Sequence, residues 1–258
     1  TSGAASVWYW YDSAELTTAA VTLGITHPPG YPVYTWVAHA FAWLPFEPAF
    51  SVNLMSAAFG ACAVGLVFGV GRELGLGRAA SALGAATMGA SSVFWMNAVL
   101  AEVYCPAVAA AALVSFLLLR GVNQRRRSLT FAAAFVAGVS LGLHLSLATL
   151  GLGFAWLVWK NGRCWKRMLV SAVAAFLGSA VFLYVPLRAS QSPPLNVCDP
   201  SSLGQFARYL SGGAYRRWFG DGDGALERVS MLSGSFLEQL GWVGLVLALA
   251  GAVWLGAR

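Results

Sequence analysis

The chain has 258 residues, 58% of them hydrophobic and 10% charged, with a mean hydropathy of +0.67; that balance excludes a soluble domain and implies several membrane spans. A net charge of +6 would suit a nucleic acid, but eleven of the sixteen Lys and Arg residues lie in short clusters between apolar runs. Clusters of this kind mark cytoplasmic turns, so the basic charge is accounted for without a nucleic-acid partner.

The basic clusters are Arg72 with Arg78, Arg120 with Arg125 to Arg127, Lys160 with Arg163, Lys166 and Arg167, and Arg258. Nine of the ten acids fall in the other segments and only Glu73 lies among the basic clusters, so the acidic loops belong on the outer, periplasmic or lumenal side. No apolar span precedes Asp12, and the sequence reads as a piece of a longer protein lacking a first span and a C-terminal region.

In chain order, Asp12 and Glu15 are spaced i, i+3 and share one side of a helix start. Gly24 is placed to end that helix, His27 before Pro28 must be extended, and Pro29-Gly30 suits a turn needing a positive φ. From Pro32 to Leu44 the residues Val33, Trp36, Val37, Ala40, Phe41 and Leu44 form one stripe, which predicts an interfacial helix along the outer face. Ser51 to Gly71 is a complete span. Ala79 to Leu119 carries one charge, Glu102, and predicts a hairpin with its outer tip at Asn97 to Tyr104. Leu129 to Trp159 is short for two crossings, so two short helices should meet at Gly142 to Ser146 and leave His144 recessed. Met168 to Leu187 crosses again. Arg188 to Glu238 is an irregular outer loop with a surface helix around Leu203, Phe206 and Leu210, and Leu240 to Leu255 supplies the last span. The whole of 1–258 reads as a single all-α, polytopic transmembrane helical bundle with interfacial helices in its outer loops.

That topology gathers Asp12, Glu15, His27, Glu102, His144, Arg188, Asp199 and Tyr215 near one face. Acids able to act as bases, beside Arg and His able to hold a phosphate, are the parts needed to transfer a group from a phosphate-linked donor. Each has a plainer reading. Asp12-x-x-Glu15 is close to a capping box; His27 is a loop histidine bonded to backbone; Glu102 is an acid at a hairpin tip, although its isolation at membrane depth favours function. Arg188 reads as an interfacial anchor and His144 as an interhelical hydrogen bond. The four cysteines have no metal-ligand spacing, and Cys105 and Cys198 lie near the same face.

Asp12-Ser13-Ala14-Glu15-Leu16 followed by Gly24-Ile25-Thr26-His27-Pro28-Pro29-Gly30-Tyr31-Pro32 resembles the opening signature of domain-of-unknown-function family 2723, the family of transmembrane protein 260. Ser51 to Leu54, Ala101-Glu102-Val103-Tyr104, Gly142-Leu143-His144-Leu145, Tyr184-Val185-Pro186-Leu187-Arg188, Asn196 to Pro200 and Tyr209 to Tyr215 extend the resemblance. Ala14 stands where many relatives carry Gly. The family is similar to the C-type superfamily of integral-membrane glycosyltransferases and includes a protein O-mannosyltransferase. The resemblance implies that fold and inverting transfer of a sugar, with mannose expected. The donor would be a polyprenyl- or dolichyl-phosphate sugar and the acceptor a protein Ser/Thr hydroxyl or a glycan. It implies Asp12 as base with Glu15 its neighbour, Glu102 as the acid of the second loop, and His27 and Arg188 at the lipid phosphate. Tyr31, His144 and Tyr215 join them as substrate-binding candidates. No cofactor and no metal is expected beyond the lipid-linked co-substrate and the bilayer. The compartment would be a bacterial cytoplasmic membrane or the endoplasmic reticulum membrane. Two rivals come from other classes: a transporter or lipid flippase, which predicts ionisable groups at the midplane of broken helices, and a non-catalytic membrane scaffold, which gives no reason for a rigid acidic loop.

Overall fold

A computed structural model describes residues 12–161, 164–213, 242 and 244–254; Tyr215 lies outside these, as does most of the segment from Ser211 to Glu238. The described chain is helical: α1 Ser13–Thr22, α2 Pro32–Ala42, α3 Pro48–Glu73, α4 Arg78–Ala90, α5 Ser92–Ala98, α6 Tyr104–Asn123, α7 Arg127–Ser140, α8 Leu150–Lys160, α9 Trp165–Ser179, α10 Tyr184–Ala189 and α11 Leu203–Leu210. Short 3₁₀ turns precede α8 and link α9 to α10, and Gly244–Trp254 is a further apolar helix. Three helical stretches are long and apolar enough to cross a membrane: Pro48–Glu73, Tyr104–Asn123 and Trp165–Ala189. They coincide with predicted crossings, and α2 and α3 each begin on a proline, whose missing N–H costs nothing at a first helical position.

The hairpin tip falls at residues 99–103, as its spacing predicts, but the limb leading to it is broken. Ser91 is extended between α4 and α5, and its hydroxyl caps α5 by accepting from Phe94 N–H at 3.3 Å. The two short helices α7 and α8 meet at 141–149, also as predicted. α7 crosses α9 at very close range through glycines. A Cβ on Gly138 would lie 1.9 Å from the Ala175 carbonyl oxygen, and one on Gly178 2.2 Å from that of Phe135. Backbones this close are the small-residue packing expected where lipid removes the hydrophobic drive for helix association.

The stripe proposed for α2 is split: Val33, Val37 and Phe41 pack against the core, partly buried. The side packed into the protein carries Tyr34, Thr35 and Ala38, all fully buried, while Trp36, Ala40 and Leu44 are exposed. His39 adds to the anchoring through Nδ1, 2.6 Å from the Ala20 carbonyl of α1. The helix is therefore wedged between α1 and α3, with Trp36, Ala40 and Leu44 of the stripe facing outward. Leu16 and Ala20 of α1, Tyr34 and Ala38 of α2, Val52 and Met55 of α3, and Ala101, Val103 and Leu143 close one core around it.

A second cluster, Ile25, Phe182, Val185, Ala189 and Tyr209, backs the loop between α1 and α2. Ile25 exchanges backbone bonds with Leu195 (2.8 Å) and Val197 (3.0 Å), and the Tyr209 hydroxyl donates to the Thr26 carbonyl. Gly24 does not supply the left-handed residue ending α1. Leu23 takes that conformation at φ 50°, while at Gly24 a Cβ would lie 2.8 Å from the Leu195 Cβ. The glycine is needed for close approach of the 195–197 segment.

Candidate active site

The His27 loop is shaped by its own prolines and by what lies behind it. The Pro28–Pro29 peptide is cis and Gly30 has φ 92°, the turn glycine the sequence predicts. A side chain at Gly30 would also meet the Tyr209 hydroxyl at 2.8 Å. Tyr31 follows in the left-handed region at φ 40° as the N-cap of α2, and Val33 N–H bonds the Gly142 carbonyl at 3.1 Å. That last bond carries the turn holding His144 against the start of α2, at a distance only a glycine permits: a Cβ on Gly142 would lie 2.7 Å from Val33.

Four of the predicted residues converge here. Glu15 accepts from His27 twice, from the backbone N–H at 2.6 Å and at Nδ1 at 2.8 Å. His27 Nε2 lies 3.2 Å from the Tyr31 hydroxyl and 3.6 Å from Asp12 Oδ2. Asp12 caps nothing: its side chain makes no hydrogen bond to the start of α1 and is 54% exposed. The capping-box reading is thus overturned, because Glu15 is turned to His27 instead of back to Asp12. The complete box belongs to Ser202 and Gln205 at the start of α11.

Glu102 is the buried member, 4% exposed. Burial and the nearby negative charge of Asp12 raise its pKa to about 7, while the backbone N–H groups of Asp12 and Val103 and the charge of His27 oppose the rise. Its Oε1 has no hydrogen-bond partner among the described residues. For His27, burial lowers the pKa, but the bond to Glu15 and the charges of Glu15, Asp12 and Glu102 together raise it. The neighbouring acids therefore favour the charged form of the imidazole.

His144 has the opposite character. Burial lowers its pKa, and its Nδ1 faces the Ser146 N–H at 3.2 Å. An Nδ1 that accepts leaves the proton of the neutral ring on Nε2. Its ring stacks on Tyr31 (centroids 6.1 Å) and lies tilted against Tyr104 at 5.8 Å. Tyr31, His144 and Tyr104 form an aromatic wall beside the carboxylates. Tyr104 is a site residue that reasoning from charged groups missed, although it follows Glu102 directly in the Ala101–Tyr104 match. Tyr34 was missed too: it is fully buried, and burial together with the charge of Glu102 raises its pKa well above the ordinary value.

Arg188 is directed elsewhere. Its Nε donates to the Leu23 carbonyl at 3.0 Å, one terminal nitrogen to Thr22 at 3.0 Å and the other to Gln191 Oε1 at 2.8 Å. The Tyr184 hydroxyl joins it on Leu23 at 2.6 Å. Arginine at a helix C-terminus satisfies carbonyls that have no intrahelical partner, so Arg188 braces the back of α1. Asp199 accepts from the Asn196 side chain at 3.0 Å. Cys105 is buried, Cys198 is exposed, and both are free thiols. Ligand atoms of Asp12, Glu15 and His27 lie within 4.8 Å of one another, close enough for one cation to bridge.

The family model described as the "Protein O-mannosyl-transferase TMEM260 N-terminal domain" matches residues 12–168. A mouse protein named "Protein O-mannosyl-transferase TMEM260" is 30% identical over 187 residues, 68% of this chain and 27% of the relative. A Dictyostelium discoideum protein named "Protein O-mannosyl-transferase tmem260" is 23% identical over 275 residues, 93% of this chain and 33% of the relative. The chain thus spans about a quarter to a third of the length of these relatives. No solved structure matches it.

Proposed function

Because the chain belongs to the TMEM260 N-terminal domain family, we propose that it is the membrane-embedded catalytic part of a protein O-mannosyltransferase, moving mannose from a polyprenyl- or dolichyl-phosphate donor to a protein hydroxyl. The observation that carries this reading is the convergence of Asp12, Glu15, His27 and Glu102 on one rigid loop at one end of the bundle. A sugar phosphate already has its leaving group. The protein must therefore deprotonate the acceptor hydroxyl and answer the charge developing on the departing phosphate.

Asp12 is the base: it is the acid open to an incoming acceptor, and no cap bond holds its oxygens. As the hydroxyl oxygen bonds to the anomeric carbon, Asp12 takes the proton and the bond to the phosphate oxygen breaks, which inverts the anomeric centre. Glu15 positions His27, whose Nε2 lies 3.6 Å from the base, and the His144 Nε2–H is a neutral donor for a sugar hydroxyl or phosphate oxygen. Glu102, protonated near neutral pH, limits repulsion around Asp12. Tyr31 and Tyr104 offer ring faces to the sugar. In this reading no metal takes part, and His27 stands between Asp12 and Glu15 where a cation would otherwise sit. By the sidedness of its charges, the site faces the lumen or periplasm.

The test uses full-length protein in membranes with polyprenyl-phosphate mannose and acceptor polypeptides, comparing wild type with Asp12→Asn and following mannose from lipid to acceptor. Wild type should transfer and the folded variant should fall by about 10² to 10⁴-fold, with a chelator leaving the wild-type rate unchanged. Equal transfer by both would remove Asp12 as base and turn attention to Glu102. Transfer by neither would favour lipid translocation without chemistry.

A further inference from the structure

The end of the bundle remote from Asp12 holds a second polar cluster that sugar transfer does not use. α6 has 20 residues, about 30 Å at 1.5 Å per residue, which matches the thickness of a hydrocarbon core. One end of α6 follows Glu102. The other closes in a turn where Arg126 N–H bonds the Gly121 carbonyl at 2.8 Å and Arg125 N–H that of Val122 at 3.1 Å. Arg125 sits at φ 54°, in the place where a glycine usually ends a helix.

There Arg125 and Arg127 meet Arg167, from the first turn of α9, around a cavity of about 400 Å³ that also has Thr130 and Asn161 in its wall. Among the described residues, no carboxylate lines it. Glu73, the one acid among the basic turns, is held by Asn123 at 3.0 Å and lies 3.8 Å from Arg120. Among the described residues, none of the three cavity arginines forms an ion pair. Arg167 also donates to the Asn161 carbonyl at 3.3 Å; three arginines lining one space favour an anion there, and their planar forks suit phosphate oxygens.

Val158 borders this cavity and also a second, of about 240 Å³, between α7, α8 and α9. Its walls are apolar, with Ala134, Ala137, Phe154 and Ala172 among them. The exception is Ser171, which is 5% exposed and whose hydroxyl has no hydrogen-bond partner among the described residues. A basic chamber and an apolar groove that share Val158 in their walls together have the chemistry of a phosphate joined to a hydrocarbon chain. Free phosphate would leave the groove unused. The polyprenyl donor must place its sugar at the opposite end, beside Asp12.

We propose that the basic end binds an anionic glycerophospholipid of the adjacent leaflet. The phosphate sits among Arg125, Arg127 and Arg167, and one acyl chain lies past Val158 between α7, α8 and α9. This site stands whether or not the transferase reading does.

The test places the full-length protein in phosphatidylcholine nanodiscs containing a minor fraction of phosphatidylglycerol, and measures by mass spectrometry the lipid retained after detergent extraction. Wild type should enrich phosphatidylglycerol over phosphatidylcholine by about tenfold or more, and the Arg127→Gln/Arg167→Gln pair should lose most of that enrichment, at roughly fivefold per arginine. Arg78→Gln, an exposed arginine of the same end outside the cavity, should change nothing. Ala172→Phe, which fills the groove, should also lower retention. Three results would overturn the proposal: equal retention of both lipids by wild type, full enrichment in the arginine pair, or displacement of the lipid by millimolar inorganic phosphate, which would make this a soluble-anion site. If the phenylalanine variant does not fold, the arginine pair decides alone.

Discussion

The two ends of this bundle handle charge in opposite ways. At the Asp12 end three carboxylates surround one histidine, and the protein itself fixes their geometry: Glu15 binds His27 twice, and Glu102 is buried beside Asp12. At the other end three arginines line a cavity with no acid in its wall among the described residues. The first arrangement is pre-formed, with groups held in place before a substrate arrives, as electrostatic catalysis requires. The second has its charge balance left to whatever enters. If that contrast is right, changes at the Asp12 end should alter rate and stability together, whereas changes at the basic end should alter which lipid is held.

The strongest test of the pre-formed end is Glu15→Ala. It removes both acceptors of His27, and transfer should fall by about 10²-fold or more, because a base misplaced by an ångström is that costly. Glu15→Gln should retain part of the rate, since the amide oxygen still accepts the backbone N–H; equal losses would mean that charge rather than position matters.

Next in size is the effect of Glu102 on stability. Its folded pKa of about 7 lies above the ordinary glutamate value of 4.5, so between those pH values the folded state binds more protons than the unfolded one. Its contribution is then fully present below about pH 4.5 and is lost as pH rises through about 7. At pH 8 the ionised carboxylate costs about 3 kcal/mol relative to a neutral group there. Glu102→Gln should therefore melt higher than wild type at pH 8 and equally at pH 4.5, while transferring more slowly. A variant less stable at pH 8 would contradict the assignment.

Smaller effects should follow at the supports. Gly30→Ala introduces a side chain at φ 92° and 2.8 Å from the Tyr209 hydroxyl, and should cost about 2 kcal/mol by chemical denaturation. Arg188→Ala removes donors from Thr22 and Leu23 where water can partly replace them, for about 1 kcal/mol. Lysine at 188 should not rescue it, because one ammonium cannot reproduce the planar fork. If Arg188 instead binds the lipid phosphate, the alanine variant should raise KM for the donor far more than it lowers the melting temperature.

How much was legible in the sequence depended on the range of the interaction. Charge sidedness and apolar length marked the crossings, the hairpin tip at 99–103, the meeting of α7 and α8, and the helix at Leu203–Leu210, because each is set by local composition. The α2 stripe was only half legible for a physical reason: where lipid surrounds a protein, apolar residues face outward as readily as inward, so Trp36, Ala40 and Leu44 are exposed while Val33, Val37 and Phe41 pack beside buried Tyr34, Thr35 and Ala38. Asp12 and Glu15 had the right spacing for a cap, but His27, twelve residues on, competes for Glu15 and wins with two bonds. Arg188 was unreadable in its bracing place because its partners are 165 and 166 residues away. Leu23 ended α1 in place of Gly24 because the glycine was needed against Leu195, a contact with no local signature.

The backing of the His27 loop gives the chain a boundary that does not coincide with the family's. The family match ends at residue 168, yet the groups that hold Leu23, Ile25 and Thr26 are Tyr184, Arg188, Leu195, Val197 and Tyr209. The stretch that the family model covers is therefore smaller than what folds as one, while the similarity to the Dictyostelium relative runs over 93% of the chain. A gene cut at the match boundary would keep every carboxylate of the site and lose the buttress that aims them, and a graft between relatives should swap 12–213 as one piece.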